Sequence, residues 1–476
     1  MKLDPDPSLG RALEIARAVR DAGGRAYLVG GLVRDRVRAA LLGEPPSEAR
    51  DLDLEVYGLP GNALRSLLER FGRVDTVGES FRVYKIGDVD VSLPRRDQKR
   101  APGHRGFTIE GDPDMSVREA SRRRDFTINA LLWDLLTGEV LDPWGGIEDL
   151  RARRLRAVDP ATFGEDPLRV LRAMQFAARF EFAIDPGTVA LARGIPLEEL
   201  PAERLWGEFE KLLLRARRPS IGLAAGLEMG VMDRLFPELK ALVGCPQEPA
   251  WHPEGDVWVH TLQAVDVAAG LVEDLSYPRK AAVLLGTLCH DLGKPPTTRV
   301  IDGRIRSLHH EEEGVPPARR LLDRLNVHTL DGFDVRRQVL AIVANHLKPG
   351  LFYRERDRLG DAAFRRLAAK CELDLLYRVA KADSLGRRAP GAPEPDAEAQ
   401  EWFIRRAREL AVEHGPPRPL LMGRHLLEIG VAPGPAMGRL LHEVYQLQLD
   451  GQVRTLEEAR EAARRLLGVR PSEGSP

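Results

Sequence analysis

The stretch Tyr27-Leu-Val-Gly-Gly-Leu-Val-Arg-Asp35, followed by Asp51-Leu-Asp53-Leu, sets a phosphate cradle beside paired carboxylates. The apolar run Tyr27 to Val29 predicts a buried strand, Gly30 and Gly31 a tight turn, and the spacing from Leu32 onward a helix. Glycines at such a junction leave free N–H groups and the positive end of the helix aimed at one place, where a phosphate binds. Asp51 and Asp53 alternate with Leu52 and Leu54, as on a strand with acids on one face and apolar groups on the other. Two carboxylates one strand period apart, next to that turn, can hold Mg²⁺ ions that clamp a nucleoside triphosphate. Phosphoryl transfer asks mainly for in-line placement and charge neutralisation. A third carboxylate on a neighbouring strand would complete the set. Asp88 and Asp90 both qualify, because Val89 and Val91 take the opposite face.

Further along, Arg122-Arg-Arg-Asp-Phe-Thr-Ile-Asn-Ala-Leu131 taken alone is a basic, capped helix start. Glu165-Asp166-Pro-Leu-Arg169-Val-Leu-Arg172 opens a helix with Pro167 in the first turn, where a missing N–H costs nothing. Asp166 and Arg169 are three apart and share a face. A different chemistry follows, with His260 opening one helix and the apolar run Leu284–Cys289 ending in His290-Asp291-Leu-Gly-Lys294. Asp383 comes later still. Imidazoles with carboxylates suit Mn²⁺, Ni²⁺, Co²⁺ or Fe, with Mg²⁺ also accommodated, and adjacent His and Asp can bind one ion or bridge two.

The elements that must position these groups are legible in the pattern. Strands are expected at Arg25–Val29, Leu52–Tyr57, Phe81–Ile86 and Val89–Leu93, with helices between them, an α/β or α+β head. Past about residue 160, amphipathic segments such as Arg169–Phe180, Ala202–Leu214 and Ser220–Leu235 predict a chain that is almost wholly helical. Pro246–Asp256 and Arg388–Asp396, rich in Pro, Gly and acids, mark breaks. The expected division is 1–150, 151–245, 246–388, 389–470 and a disordered tail at 471–476. With 476 residues, several domains are expected. The formal charge of −1 excludes a chain that is basic throughout, so the arginine runs at 95–105, 122–124 and 151–156 are local features. Three widely spaced cysteines, a polar start and no apolar run near the roughly 20 residues needed to span a bilayer predict a cytoplasmic chain without membrane segments.

Taken together, Leu28-Val-Gly-Gly-Leu-Val-Arg-Asp35, Leu41-Leu-Gly43 and Asp51-Leu-Asp53 resemble the bacterial class II tRNA nucleotidyltransferases of the polymerase-β-type superfamily. Arg122 to Leu131, Asp142-Pro-Trp-Gly-Gly-Ile-Glu-Asp-Leu150, Glu165 to Arg172 and Arg204-Leu-Trp-Gly-Glu-Phe-Glu-Lys-Leu-Leu213 extend the likeness. His260, His290-Asp291 and Asp383 resemble an HD phosphohydrolase. The resemblance implies an α+β fold: a nucleotidyltransferase head with a small mixed sheet, a helical neck and body, and a helical HD domain. It selects Asp90 over Asp88 as third carboxylate with Asp51 and Asp53. It also implies nucleotide contacts from Gly30, Gly31, Arg34, Arg124, Asp125, Asn129, Asp166, Arg169 and Arg172. Mg²⁺ is implied at the head, and His310 (with His309 as rival) and His346 join the HD ligands. Arg204 and Glu208, four apart, are expected to brace the neck.

The implied partners are tRNA, CTP and ATP, with body helices on the tRNA backbone. The implied base-reading pair is Asp166 and Arg169, and its chemistry follows from first principles. A carboxylate accepts from an exocyclic amine while a guanidinium donates to the adjacent ring nitrogen, an edge shared by cytosine and adenine. Uracil and guanine would leave both groups mispaired, at about 1–3 kcal/mol for the lost bidentate contact. The alternatives are a bacterial poly(A) polymerase, or an HD phosphohydrolase whose head only binds RNA.

Overall fold

The computed structural model describes residues 1–45, 52–77, 83–99 and 107–467. The chain folds into two units, Met1–Leu212 with Ile221–Leu235, and Leu213–Ser220 with Phe236 onward.

The first unit is built on a mixed sheet. Helix α1 (Gly10–Asp21) precedes β1 (Arg25–Val29), α2 (Gly31–Leu42) and β2 (Leu52–Tyr57); β3 (Asp75–Val77), β4 (Val83–Ile86), β5 (Val89–Ser92), β6 (Leu132–Trp133) and β7 (Val140–Leu141) complete it. The strand order is β3-β4-β5-β2-β1-β6-β7. All neighbours are antiparallel except β2 and β5, which run parallel. Leu52, Leu54, Val56, Val89 and Val91 are fully buried, as the alternation predicted. α1 packs on β1 and β2 through Ala12, Ile15, Ala16 and Val19. Ile15 and Val19 each contribute about 1.5–3 kcal/mol on full burial, which helps pin the register and with it the face the acids take.

Helices α3 (Leu168–Phe180) and α4 (Ala202–Arg215) follow the predicted segments closely. The expected single helix Ser220–Leu235 is instead two, α5 (Pro219–Glu228) and α6 (Val231–Leu235), broken at Gly230 with φ 70°. The second unit gathers α7 (Val257–Gly270), α8 (Tyr277–Cys289), α9 (Val335–Val343) and α10 (Leu373–Leu385) into one packed group. It also holds two ribbons that the helical expectation missed: Thr298–Ile301 with Arg304–Ser307, and Thr329–Leu330 with Phe333–Asp334. Asp302-Gly303 and Asp331-Gly332 turn them, all four at positive φ, the Asp-Gly signature of a two-residue hairpin. No helix among the described residues is long and apolar enough to cross a membrane.

Candidate active site and candidate metal centre

Gly30 joins β1 to α2 at φ 84° and ψ −154°, a conformation open to glycine and costly for other residues. A Cβ there would lie 3.1 Å from Asp53 Oδ2, so the turn and the carboxylate are in close approach. Strand pairing fixes the rest. Val29 lies opposite Asp53, and Asp53 opposite Asp90. The turn at Gly30 and Gly31, Asp53 and Asp90 thus form one row at one end of three adjacent strands. Asp53 is exposed, and Asp90 is half-buried with Lys85 Nζ at 3.0 Å. The competing Asp88 pairs with Arg11 at 3.2 Å. Asp51 lies outside the described residues.

Arg34, Asp125, Asn129 and Arg172 form a continuous network beside this row. Arg34 Nη1 donates to Asn129 Oδ1 (2.7 Å), while its Nε and Nη2 donate to Asp35 (2.8 and 3.0 Å). Its guanidinium lies over the Phe180 ring at 4.6 Å. Asn129 Nδ2 donates to Asp125 Oδ1 (2.8 Å), and Arg172 Nε to Asp125 Oδ2 (2.7 Å). Burial alone would raise the Asp125 pKa; the Arg172 charge and the Asn129 bond outweigh it and hold the group below its ordinary value. Its charge therefore stabilises the fold above the ordinary carboxylate range, and that contribution is lost as the pH falls through the lowered pKa. Arg172→Ala would leave Asp125 buried without its cation. The expected loss is about 3 kcal/mol of unfolding free energy at neutral pH, checked by denaturant unfolding and shrinking toward pH 3.

In the neck, Asp166 Oδ1 accepts from Leu168 N (3.1 Å), and both of its carboxylate oxygens accept from Arg204 Nη2 (3.2 and 3.0 Å). Arg169 donates to the Thr162 and Arg123 carbonyls (2.7 and 2.6 Å). The two share a backbone bond, Arg169 N to Asp166 O (3.0 Å), but among the described residues their side chains do not pair, so each side chain is positioned by separate neighbours. Arg124 is half-buried. Arg204 braces Asp166, whereas Glu208 serves Arg172 (3.7 Å) and Lys211 (2.9 Å).

The second unit buries His260, His290, Asp291, His310, His346 and Asp383 together. His290, His310 and His346 direct Nδ1 at the carbonyls of Thr287 (2.7 Å), Ser307 (2.8 Å) and Val343 (2.8 Å). A carbonyl only accepts, so each Nδ1 carries a proton and each Nε2 is the nitrogen that faces the cluster. Asp291 lies between them: Oδ2 is 3.2 Å from His290 Nε2 and 3.9 Å from His260 Nε2, and Oδ1 is 3.4 Å from His310 Nε2 and 4.0 Å from His346 Nε2. Asp383 Oδ1 is 3.2 Å from His260 Nε2 and 3.0 Å from Arg387. His309 is exposed, which leaves His310 facing the cluster.

The residues fit a divalent cation. Asp291 Oδ2 has the Lys294 ammonium at 2.7 Å, but His260 Nε2 and His290 Nε2 are buried without an aligned hydrogen bond among the described residues and face carboxylate oxygens at 3.2 Å, an arrangement costly unless something else binds them. Burial, then the neighbouring His310 and His290, pushes His346 down to about 3, so it is neutral at physiological pH as a ligand must be. Asp291 lies well below its ordinary value; burial opposes this, and His290 and Lys294 overcome it. Two groups, His260–His290–Asp291 and Asp291–His310–His346, each bring their ligand atoms within 4.8 Å of one another and share Asp291. Gly293 is required here, since a Cβ would run into the His310 carbonyl.

Residues 26–156 match the poly A polymerase head domain, 181–242 the probable RNA- and SrmB-binding site of polymerase A, and 257–388 the HD domain. A multifunctional CCA protein of Xanthomonas campestris pv. campestris is 36% identical over 408 residues, covering 82% of this chain and 93% of its own length. The chain belongs to the multifunctional CCA protein family. Another member, from Tolumonas auensis, is 40% identical over 63% of this chain and 70% of its own. The fold is shared with the Bacillus stearothermophilus CCA-adding enzyme in complex with CTP (TM-score 0.59, 22% identity, 98% and 99% of the chains). It is shared as well with the Thermotoga maritima CCA-adding enzyme complexed with tRNA (0.57, 19%, 97% and 96%).

Nucleotidyltransferases and HD proteins are metal-dependent, and this member of the family has residue groups suited to metal in its HD unit. Sequence reasoning missed the groups behind the ligands. Lys294 Nζ lies 2.7 Å from Asp291 and donates to Gln247 (2.6 Å); Glu254 Oε1 accepts from both His252 and His260 at 2.8 Å. Burial would raise the Glu254 pKa, but these two histidines bring it down to about 2. The signal was present as His252-Pro-Glu254 inside the Pro/Gly-rich break at 246–256. That segment is a built part of the HD unit.

Proposed function

We propose that this member of the family is a template-independent tRNA nucleotidyltransferase, adding C, C and A to tRNA 3′ ends from CTP and ATP. The single observation that carries the reading is the row of Gly30, Asp53 and Asp90 in a chain related to multifunctional CCA proteins over most of its length. The N-terminus of α2 receives the triphosphate through backbone N–H groups. Asp53, Asp90 and, from its sequence position, Asp51 would hold Mg²⁺, which supplies charge neutralisation and in-line orientation when bound. Asp125, Asn129, Arg34 and Arg172 fix the walls of the nucleotide site through their mutual bonds, with Arg124 beside them. Asp166 and Arg169 read the base with the hydrogen-bonding capacity their neighbours leave.

The second centre hydrolyses phosphoesters. His260, His290, Asp291, His310, His346 and Asp383 would hold Mn²⁺, Ni²⁺, Co²⁺, Fe or Mg²⁺, which supplies Lewis acidity toward a phosphate and its attacking water. Terminal phosphates or cyclic phosphates on RNA are its substrate class. RNA engagement is further supported by a cleft of about 850 Å³ in the second unit, rimmed by Arg215, Arg217, Arg218, Lys280 and Arg388 against Asp266 and Glu273. Such an enzyme would work in the cytoplasm, alongside the tRNA it completes.

The test is incorporation of labelled CTP, ATP, UTP and GTP into tRNA lacking CCA, ending in C, or ending in CC. Growth by C, C and A followed by a stop is expected; repeated A addition to any RNA end would make it a poly(A) polymerase instead. Asp166→Ala and Arg169→Ala should each reduce discrimination against UTP and GTP by about 10- to 100-fold, the worth of a lost bidentate contact.

A further inference from the structure

Of the four imidazoles in the HD cluster, three have their Nδ1 protons held by backbone carbonyls, and no substitution can remove those acceptors. His260 differs. Its Nδ1 meets the Glu254 carboxylate at 2.8 Å, and the same Oε1 takes His252 Nδ1 at 2.8 Å. The Glu254 side chain is wholly buried, and its Oε2 has no hydrogen-bond partner among the described residues. The two rings stand edge to face, 5.0 Å apart.

The loop that presents Glu254 is itself built. Asp256 caps α7 through Val259 N (2.9 Å) and accepts from Gly244 N (2.6 Å). Glu248 accepts from Ile305 N (3.0 Å), and Gln247 donates to the Gly255 carbonyl (3.3 Å). The loop thus reaches the cluster at two points, Glu254 on His260 and Gln247 on the Lys294–Asp291 pair.

We infer that Glu254 is a positioning residue of the metal centre: by holding the proton on His260 Nδ1, it turns the Nε2 lone pair toward Asp291 and Asp383. The inference rests on reading the cluster as a metal centre. Without the carboxylate the neutral imidazole is free to carry its proton on Nε2, where it would point an N–H at the cation. A carboxylate behind a ligating imidazole also raises its basicity, and loss of such partners costs about 10- to 100-fold in metal affinity. His252 shares the carboxylate and could join Glu254 and His260 in a ligand group of their own, but it belongs to neither group that contains Asp291, so it is not required as a ligand there.

The experiment titrates the full chain, stripped of metal, with Co²⁺ and Ni²⁺ by calorimetry and records the visible absorption of the Co²⁺ form. Glu254→Ala should weaken binding by about 10- to 100-fold and shift the Co²⁺ bands, while the metal-free chain melts cooperatively. Glu254→Gln, which keeps the shape and one acceptor but not the charge, should fall between; it decides the matter if the alanine variant does not fold. His252→Ala should retain wild-type stoichiometry. Unchanged affinity and spectrum in folded Glu254 variants would overturn the inference alone. So would loss of one metal equivalent in His252→Ala, because His252, Glu254 and His260 would then be ligands themselves. A wild-type chain that takes up no metal would overturn the metal-centre reading as well.

Discussion

Asp53→Asn should lower CTP and ATP incorporation by about 10³-fold, on the scale of losing a pre-organised electrostatic contact to the transition state, and leave phosphoester hydrolysis at wild-type level. Asparagine preserves the shape and removes the charge that a divalent cation needs. The side chain is exposed, and β2 is held by backbone pairing on both sides, to β1 and to β5. The variant should therefore still unfold cooperatively, and denaturant unfolding of the same preparation separates a lost metal ligand from a damaged fold. Asp90→Asn gives the companion result. If Asp90 is the third carboxylate, its loss should approach that of Asp53. If its role is confined to the 3.0 Å pair with Lys85, addition should stay near the wild-type rate. Hydrolysis of a phosphodiester by the same preparations controls for both variants. A parallel fall in the two activities would refute the assignment of separate centres.

How much of this was legible before the structure depends on the range of the interaction concerned. Strand β1 was bounded correctly by its apolar run between Gly24 and Gly30, and β2 by acids alternating with leucines ahead of Gly58; these are local signals, and the row of Gly30, Asp53 and Asp90 follows from them once pairing is known. The sequence could not choose Asp90 over Asp88 on facing alone; in the sheet it is Asp90 that lies opposite Asp53. Nor could it show that Asp166 would meet Arg204, 38 positions away, rather than Arg169 on its own helix. The Arg34–Asn129 bond spans 95 positions and carries no periodicity. Glu254 was missed for another reason. Pro and Gly around it mimic a linker, and only the fold shows that the loop is pinned at Asp256 and Gln247. Conversely, the Asp-Gly hairpins at 302–303 and 331–332 were readable, and the helical pattern around them hid a plain turn signal.

Asp291→Asn should abolish the second activity, with hydrolysis of a chromogenic phosphodiester falling about 10³-fold or more while CCA addition persists. Asp291 is shared by two of the three candidate ligand groups and lies within 4.0 Å of the Nε2 atoms of all four imidazoles. The substitution also removes the negative charge that faces Lys294 at 2.7 Å deep in the unit, where the ammonium's other acceptor among the described residues is the neutral Gln247. A buried cation without its anion favours loss of its own proton or local opening, so some destabilisation of the metal-free chain is expected. Metal dependence separates that structural cost from the functional one. A cation held by the native state alone stabilises it by about 2.7 kcal/mol at a hundred times its Kd. Wild-type chain should therefore melt lower after chelation and recover when Mn²⁺, Ni²⁺ or Co²⁺ is restored. Asp291→Asn should show neither response, and its melting curve with and without metal should coincide. Recovery of the full metal-induced shift in this variant would mean that the cation sits elsewhere.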